Sequence, residues 1–361
     1  MQATRALHDL GQSLWLDNIT RTMLDDGTIQ AYIDDKQVTG LTSNPSIFQK
    51  AIAAGDVYEQ AIRNSAAHSE EEVFFELALE DLRRAADLFA DIHRRTEGID
   101  GWVSLEVSPL LADDARATEA AATELYARGA RDNLFIKIPG TRAGCEAIEA
   151  STFAGVPVNV TLLFSREQTL AAAEAWLRGI ERRVEAGLDP RVTSVLSLFV
   201  SRWDTAVADR VPADLKNRLG IAVAGQTYAA YLDLCRSPRW QKLSEYGIAP
   251  QRLLWGSTST KDPDARDTLY VEALAAPDTI NTMPDTTLLA FADHGELSGP
   301  MARDGTAAAA TLRRFVEAGI DLDALAAQLQ REGADKFSES WHALLDDIRK
   351  VRQPAGERGG I

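Results

Sequence analysis

The stretch DNLFIKIPGT, residues 132–141, places a lysine in the middle of a short apolar run. Leu134 to Ile138 has the composition of a β-strand, and Lys137 stands in it between Ile136 and Ile138. If one face of the strand were wet, the lysine could sit in water with the isoleucines inside. If both faces are covered, the amine is buried, its charge is costly, and the neutral form is favoured. The kind of sheet decides between these cases.

Seven further runs of the same kind surround it: Leu14–Asp17, Gly40–Ser43, Trp102–Val107, Val156–Leu163, Val195–Val200, Leu253–Ser257 and Thr279–Met283. Most are near-continuously apolar rather than alternating, the pattern of parallel strands covered on both faces. Amphipathic helical patterns separate them. One is SREQTLAAAEAWLRGIERRVEAG, residues 165–187, with Ser165 as N-cap and Gly187 as stop. Eight strand–helix alternations predict an α/β fold, a single (β/α)8 TIM barrel. The alternative is a doubly wound open sheet. It usually shows a glycine-rich turn after its first strand, and LWLDNIT, residues 14–20, has none. Segments 47–100 and 203–251 are long for barrel connections and predict extra helices after strands two and six. Both read as decorations of one domain spanning residues 1–361, with a loose tail at 352–361.

Bulk properties narrow the function. A chain of 361 residues, 45% hydrophobic and 25% charged, has the balance of an ordinary globular protein and can bury a large core without staples. Two cysteines, Cys145 and Cys235, make no disulfide framework and suit a reducing compartment. Five scattered histidines show no metal-ligand spacing, so no metal and no cofactor are expected. A net charge of −16 argues against nucleic acid or an anionic membrane as partner. MQATRALHDLGQSLW at the start lacks an apolar leader core, and no run approaches membrane-spanning length, which predicts a cytoplasmic protein.

In a barrel, chemistry collects at the C-terminal ends of the strands, where the loops converge on one face. Strand one ends in Asp17, and strand two in TSNPS, which puts Asn44 before a helix that Pro45 can start. Strand three carries Glu106, strand four Lys137, and strand five Asn159 and Thr161 on one face. Strand six carries Ser197, Phe199 and Ser201 on one face, with Arg202 at its exit. Strand seven ends in GSTSTKDP, with Thr258, Ser259 and Lys261. Each residue has an ordinary structural role open to it. Asp17 and Asn44 could cap helices, Glu106 could pair with an arginine, and Asn159 and Thr161 could satisfy backbone groups. Ser197 could be a filler, Arg202 and Lys261 solvated charges, and Lys137 could snorkel. The joint pattern is harder to explain that way. Of eight lysines, only Lys137 has apolar neighbours on both sides inside a β-like run. A buried neutral amine attacks ketones to form a Schiff base, an electron sink for cleaving a neighbouring C–C bond. Carboxylates to move protons, amides and hydroxyls for a polyol, and cations for a phosphate stand at the neighbouring strand ends.

These motifs resemble the transaldolases. GLTSNPSIF (40–48) is similar to the family's first signature, and LFIKIPGTRAG (134–144) to its second, built around the Schiff-base lysine. VNVTLLFS (158–165) and SLFVSRWD (197–204) are similar to its fifth- and sixth-strand motifs. NTMPDTTLLAFADHG (281–295) looks like its longer bacterial branch. The resemblance runs from about Leu14 to Gly295. It implies a class I aldolase-type barrel that moves a dihydroxyacetone unit from sedoheptulose 7-phosphate to glyceraldehyde 3-phosphate, in the non-oxidative pentose phosphate pathway. By motif it implies Lys137 as the Schiff-base lysine and Asp17 as the acid/base at the C4 hydroxyl. Glu106 with Thr161 would activate a water. Asn44, Asn159 and Ser197 would hold the dihydroxyacetone hydroxyls, and Arg202 the phosphate. Shorter members have an arginine just after strand seven. Here the stretch is STSTKDP (257–263), and that role passes to Lys261 or Ser259, a point charge or a hydroxyl rather than a fork. A fructose 6-phosphate aldolase is the nearest alternative; relatives with that activity tend to carry glutamine and tyrosine where this chain has Glu106 and Phe199. A non-catalytic sugar-phosphate-binding barrel is the alternative from another class. The resemblance covers both monomers and homodimers.

Overall fold

A computed structural model describes residues 2–55 and 57–353. Eight strands form one closed, all-parallel barrel in sequence order, with β8 returning to pair with β1. They are β1 (Ser13–Leu16), β2 (Val38–Leu41), β3 (Val103–Glu106), β4 (Leu134–Pro139), β5 (Val158–Leu163), β6 (Ser194–Phe199), β7 (Arg252–Gly256) and β8 (Ile280–Met283). The eight apolar runs are these strands, shifted by a residue or two. Every strand residue is buried, because helices cover the outer face and side chains fill the inner one. The question posed by Lys137 is answered there. Ile136 and Ile138 face the helix layer, and Lys137 faces the barrel interior, its side chain 6% exposed.

The barrel interior is layered by the two-residue period of the strands. Towards the N-terminal ends, Trp15, Trp102, Phe135, Val195, Leu254 and Ile280 form an aromatic and aliphatic plug. Trp102 stacks on Phe135 with ring centroids 4.0 Å apart. Gly40 on β2 is the complement of Trp15: a Cβ there would lie 2.5 Å from the indole ring. Two residues further along the same inward rows come Asp17, Ser104, Lys137 and Ser197. The sheet register sets Glu106 beside Lys137 and Lys137 beside Asn159. β5 carries a bulge: between Val160 and Leu163 it advances three residues against two on β6, and Leu162 sits in the left-handed region at φ 58°.

Three helices (Pro45–Ala53, Glu59–Asn64 and Glu70–Arg95) fill the segment between β2 and β3. Ser201–Val207, Leu219–Arg236 and Pro238–Ser244 fill that between β6 and β7. The strand-six reading needs one correction. β6 stops at Phe199, and Ser201 opens a helix, its hydroxyl 2.9 Å from that of Ser257. Arg202 is therefore in a first helical turn. After β8 come Asp285–His294, Thr306–Glu317 and a C-terminal helix, Leu322–Arg352. This last helix runs back over the insertion after β2. Ser340 meets Ser46 at 2.7 Å, Asp347 accepts from Gln49 at 3.0 Å, and Trp341 packs edge-on to Phe74 at 5.0 Å. The expected loose tail begins too early, since Arg352 is helical and donates to the Ala67 carbonyl at 2.8 Å. Its residues 354–361 lie outside those described. Among the described residues, no helix is long and apolar enough to cross a membrane.

Candidate active site

A cavity of about 350 Å³ opens at the C-terminal end of the barrel. Lys137 lies on its lining with Asp17, Asn44, Thr161, Ser197, Phe199, Arg202, Ser259 and Lys261. Glu106 and Asn159 do not line it. They flank Lys137 within the sheet, 3% and 0% exposed. Thr258 falls away from the expected substrate contacts. It is fully buried, and its hydroxyl meets the Asn281 side-chain oxygen at 3.0 Å and the Thr282 carbonyl at 3.1 Å. That hydroxyl joins the end of β7 to β8.

The Lys137 Nζ donates to the Ser43 carbonyl at 3.0 Å and lies 3.2 Å from Glu106 Oε2. The second contact is an ion pair without hydrogen-bond alignment, and neither carboxylate oxygen of Glu106 has a hydrogen-bond partner among the described residues. Burial lifts the Glu106 carboxyl above the usual carboxylate range, against the pull of Lys137 and with some help from Asp17. Burial likewise lifts Asp17, against Lys137 and a 2.8 Å hydrogen bond from the Thr42 hydroxyl. A buried Glu106 and a partly buried Asp17, both raised in this way, keep their protons to higher pH than free carboxyls do, which suits them to acid/base work.

The polyol-binding candidates form a short chain. The Ser197 hydroxyl donates to Asn159 Oδ1 at 2.7 Å, and Asn159 Nδ2 donates to the Ser104 hydroxyl at 3.1 Å. Thr161 Oγ1 is buried without a partner among the described residues. Asn44 has the ordinary role as well as its place on the lining: Oδ1 accepts from the Ile47 backbone N–H at 3.2 Å, capping the helix that follows. Arg202 lies over the Phe199 ring, 5.0 Å from its centroid, and makes no ion pair among the described residues. Burial pulls its pKa down, opposed by Asp17 and Glu106. An anion arriving here would relieve that cost. Lys261 reaches the same mouth, and so does Lys50, which strand-end reasoning missed because it sits on the helix Pro45–Ala53. Thr42, Thr282 and Phe337 were missed too. Thr42 bridges Asp17 and Thr282, at 2.8 and 2.7 Å. It lay unremarked inside the GLTSNPS motif. Phe337 comes from the C-terminal helix and has no strand-end signal.

Fold and site together define a (β/α)8-barrel enzyme whose cavity is built around an interior lysine and two carboxyls at the C-terminal mouth. The family model described as Transaldolase/Fructose-6-phosphate aldolase matches residues 14–348. A transaldolase of Arthrobacter sp. (strain FB24) is 43% identical over 356 residues, covering 96% of each chain. One of Thiobacillus denitrificans is 42% identical over 358 residues, 96% of this chain and 100% of its own. One of Thermobifida fusca is 43% identical over 353 residues, 95% and 96%. The chain belongs to the transaldolase/fructose-6-phosphate aldolase family.

Proposed function

We propose that this enzyme is a transaldolase that works through a Schiff base on Lys137. It would take a dihydroxyacetone unit from sedoheptulose 7-phosphate and give it to glyceraldehyde 3-phosphate. The observation that carries this reading is the interior lysine, ion-paired to one raised carboxyl and facing a cavity lined by another.

The neutral amine attacks the ketose C2 carbonyl, forming a C–N bond and a carbinolamine. Loss of the C2 hydroxyl as water leaves an iminium, and Glu106, ion-paired to Lys137, and Thr161, whose buried hydroxyl has no hydrogen-bond partner among the described residues, serve that proton movement. Asp17 then takes the C4 hydroxyl proton as the C3–C4 bond breaks. The bonding electrons pass into the iminium, giving an enamine and releasing the aldose erythrose 4-phosphate. Enamine C3 attacks the acceptor aldehyde, Asp17 returns its proton to the new hydroxyl oxygen, and hydrolysis frees fructose 6-phosphate. Asn44, Asn159 and Ser197 orient the three-carbon unit, and Arg202, Lys261 or Ser259 hold the phosphate. A cytoplasmic location goes with this reading, with sugar phosphates as the only partners invoked.

The test is borohydride trapping with fructose 6-phosphate. The expected result is a covalent three-carbon adduct on the peptide containing Lys137, absent in Lys137→Ala along with all turnover. An unmodified chain, or an adduct on another lysine, removes the mechanism and leaves a sugar-phosphate-binding barrel. Because the family also covers fructose 6-phosphate cleavage, free dihydroxyacetone is measured without an acceptor. Rapid release would move the assignment to the aldolase side.

A further inference from the structure

The C-terminal helix does more than close the barrel's end. It sets Gln330, Gly333 and Phe337, three positions on one helical face, against the strand exits around the cavity. Phe337 lines the cavity. Gly333 allows the approach: a Cβ there would lie 2.8 Å from Leu162 Cδ2 and 3.2 Å from Arg202 Nη1. Gln330 Nε2 gives both its hydrogens to backbone carbonyls, to Gly140 just past β4 and to Leu162 in β5, each at 3.0 Å.

Those two carbonyls bracket Thr161. The Gly140 N–H donates to the Thr161 carbonyl at 2.7 Å, so one carboxamide and one amide stitch the exits of β4 and β5 together around that residue. Thr161 is also the residue before left-handed Leu162, inside the β5 bulge. A left-handed leucine persists only where its surroundings hold it. Bulges beside active sites re-aim side chains, and here the side chain at issue ends in a buried hydroxyl with no partner among the described residues. We infer that Gln330 is a positioning residue: by pinning the Gly140 and Leu162 carbonyls it holds the bulge that aims the Thr161 hydroxyl. A bond serving only to dock the helix would not need both donors on the two strand exits that bracket one inward-facing threonine.

The inference rests on the Schiff-base reading, and the experiment separates the two. Gln330→Met keeps length and flexibility but loses both donors. Gln330→Glu keeps shape but sets an acceptor against two carbonyls, and it is read alongside in case the first variant folds poorly. Each is expected to slow both kcat and the appearance of the borohydride-trapped adduct by about ten-fold or more, with KM within about two-fold. Gln328→Met, on the same helix but bonded to Glu332, should match the parent enzyme. The deciding measurement is the cycle with Thr161→Val. If Gln330 acts through Thr161, adding Gln330→Met to Thr161→Val slows trapping no further. Parent-like rates in the folded Gln330 variants overturn the inference, as do effects that multiply with Thr161→Val. Failure of the parent chain to trap any adduct would instead remove the Schiff-base reading itself.

Discussion

Lys137 is buried and Asp17 partly so, and each is held by specific partners. Asp17 gives a measurable signature. Its folded pKa is raised by burial, so between the ordinary aspartate value of about 3.9 and that raised value the folded chain keeps a proton that the unfolded chain has lost. Stability from this group is therefore full below the window and falls as pH rises through it. Asp17→Asn, whose side-chain oxygen can still accept from Thr42, removes that slope. We expect the variant to exceed the parent in urea resistance at pH 8, with the advantage gone by about pH 4. A pH-independent difference would mean that the carboxyl is not raised in the fold. The same variant should lose about 10²–10⁴-fold in kcat, the usual contribution of a positioned acid/base. A gain in stability with a loss of turnover is the trade expected of a group placed for chemistry.

At the scale of elements, the long insertion after β2 and the C-terminal helix support one another. The helix Glu70–Arg95 opens with a full capping box, Ser69 with Glu72, carries acids in its first turn and bases in its last, and buries a row of apolar residues. Phe74 and Phe75 on its inner face meet Trp341, which is fully buried. Trp341→Ala should cost about 3–5 kcal/mol, read as a lower denaturation midpoint. Because the same helix presents Phe337 to the cavity and bonds the β4 and β5 exits through Gln330, turnover at temperatures near the new midpoint should fall before the barrel unfolds. A variant with parental stability would show that the helix is held elsewhere. A helix in the long segment after β2 was legible from its charged, amphipathic pattern; the C-terminal helix had no such reading. The way they pair was not legible, since Trp341 and Phe74 lie far apart in the chain and neither motif hints at the other.

Across the whole molecule the barrel divides its work between its ends. The C-terminal end holds the amine, the carboxyls and three cations without ion pairs among the described residues (Lys50, Arg202 and Lys261), a local positive rim on a chain of net charge −16. Below the aromatic plug, the N-terminal end is tied by Arg252. Its guanidinium donates to the Ser13 hydroxyl at 2.6 Å, to the Thr279 carbonyl at 2.9 Å and to the Ile99 carbonyl at 3.1 Å. Ser13 passes its own hydrogen to buried Asp100, which also accepts from the Trp15 indole at 2.7 Å. Arg252→Leu leaves the Ser13 hydroxyl and the Thr279 and Ile99 carbonyls without their donor and should cost about 3 kcal/mol in urea denaturation, with kcat/KM of the folded enzyme unchanged. A large loss of kcat/KM in the folded variant would show that the two ends are coupled. The eight strands and their burial on both faces were already determined by local composition, because a continuously apolar strand has no wet face to offer, and their order by the strand–helix alternation; which covered face Lys137 takes was not. Strand-end reasoning likewise reached Asp17, Asn44 and Arg202, whose loops the barrel topology brings together. Only the tertiary structure decided that Thr258 is spent inside the sheet, that β5 bulges at Leu162, that Lys50 and Phe337 line the cavity, and that Gln330 bonds the exits of β4 and β5. Thr258 and the bulge depend on contacts between neighbouring strands, and Gln330 and Phe337 on a helix that folds back from a distant part of the chain; no local pattern of polarity records where either comes to rest.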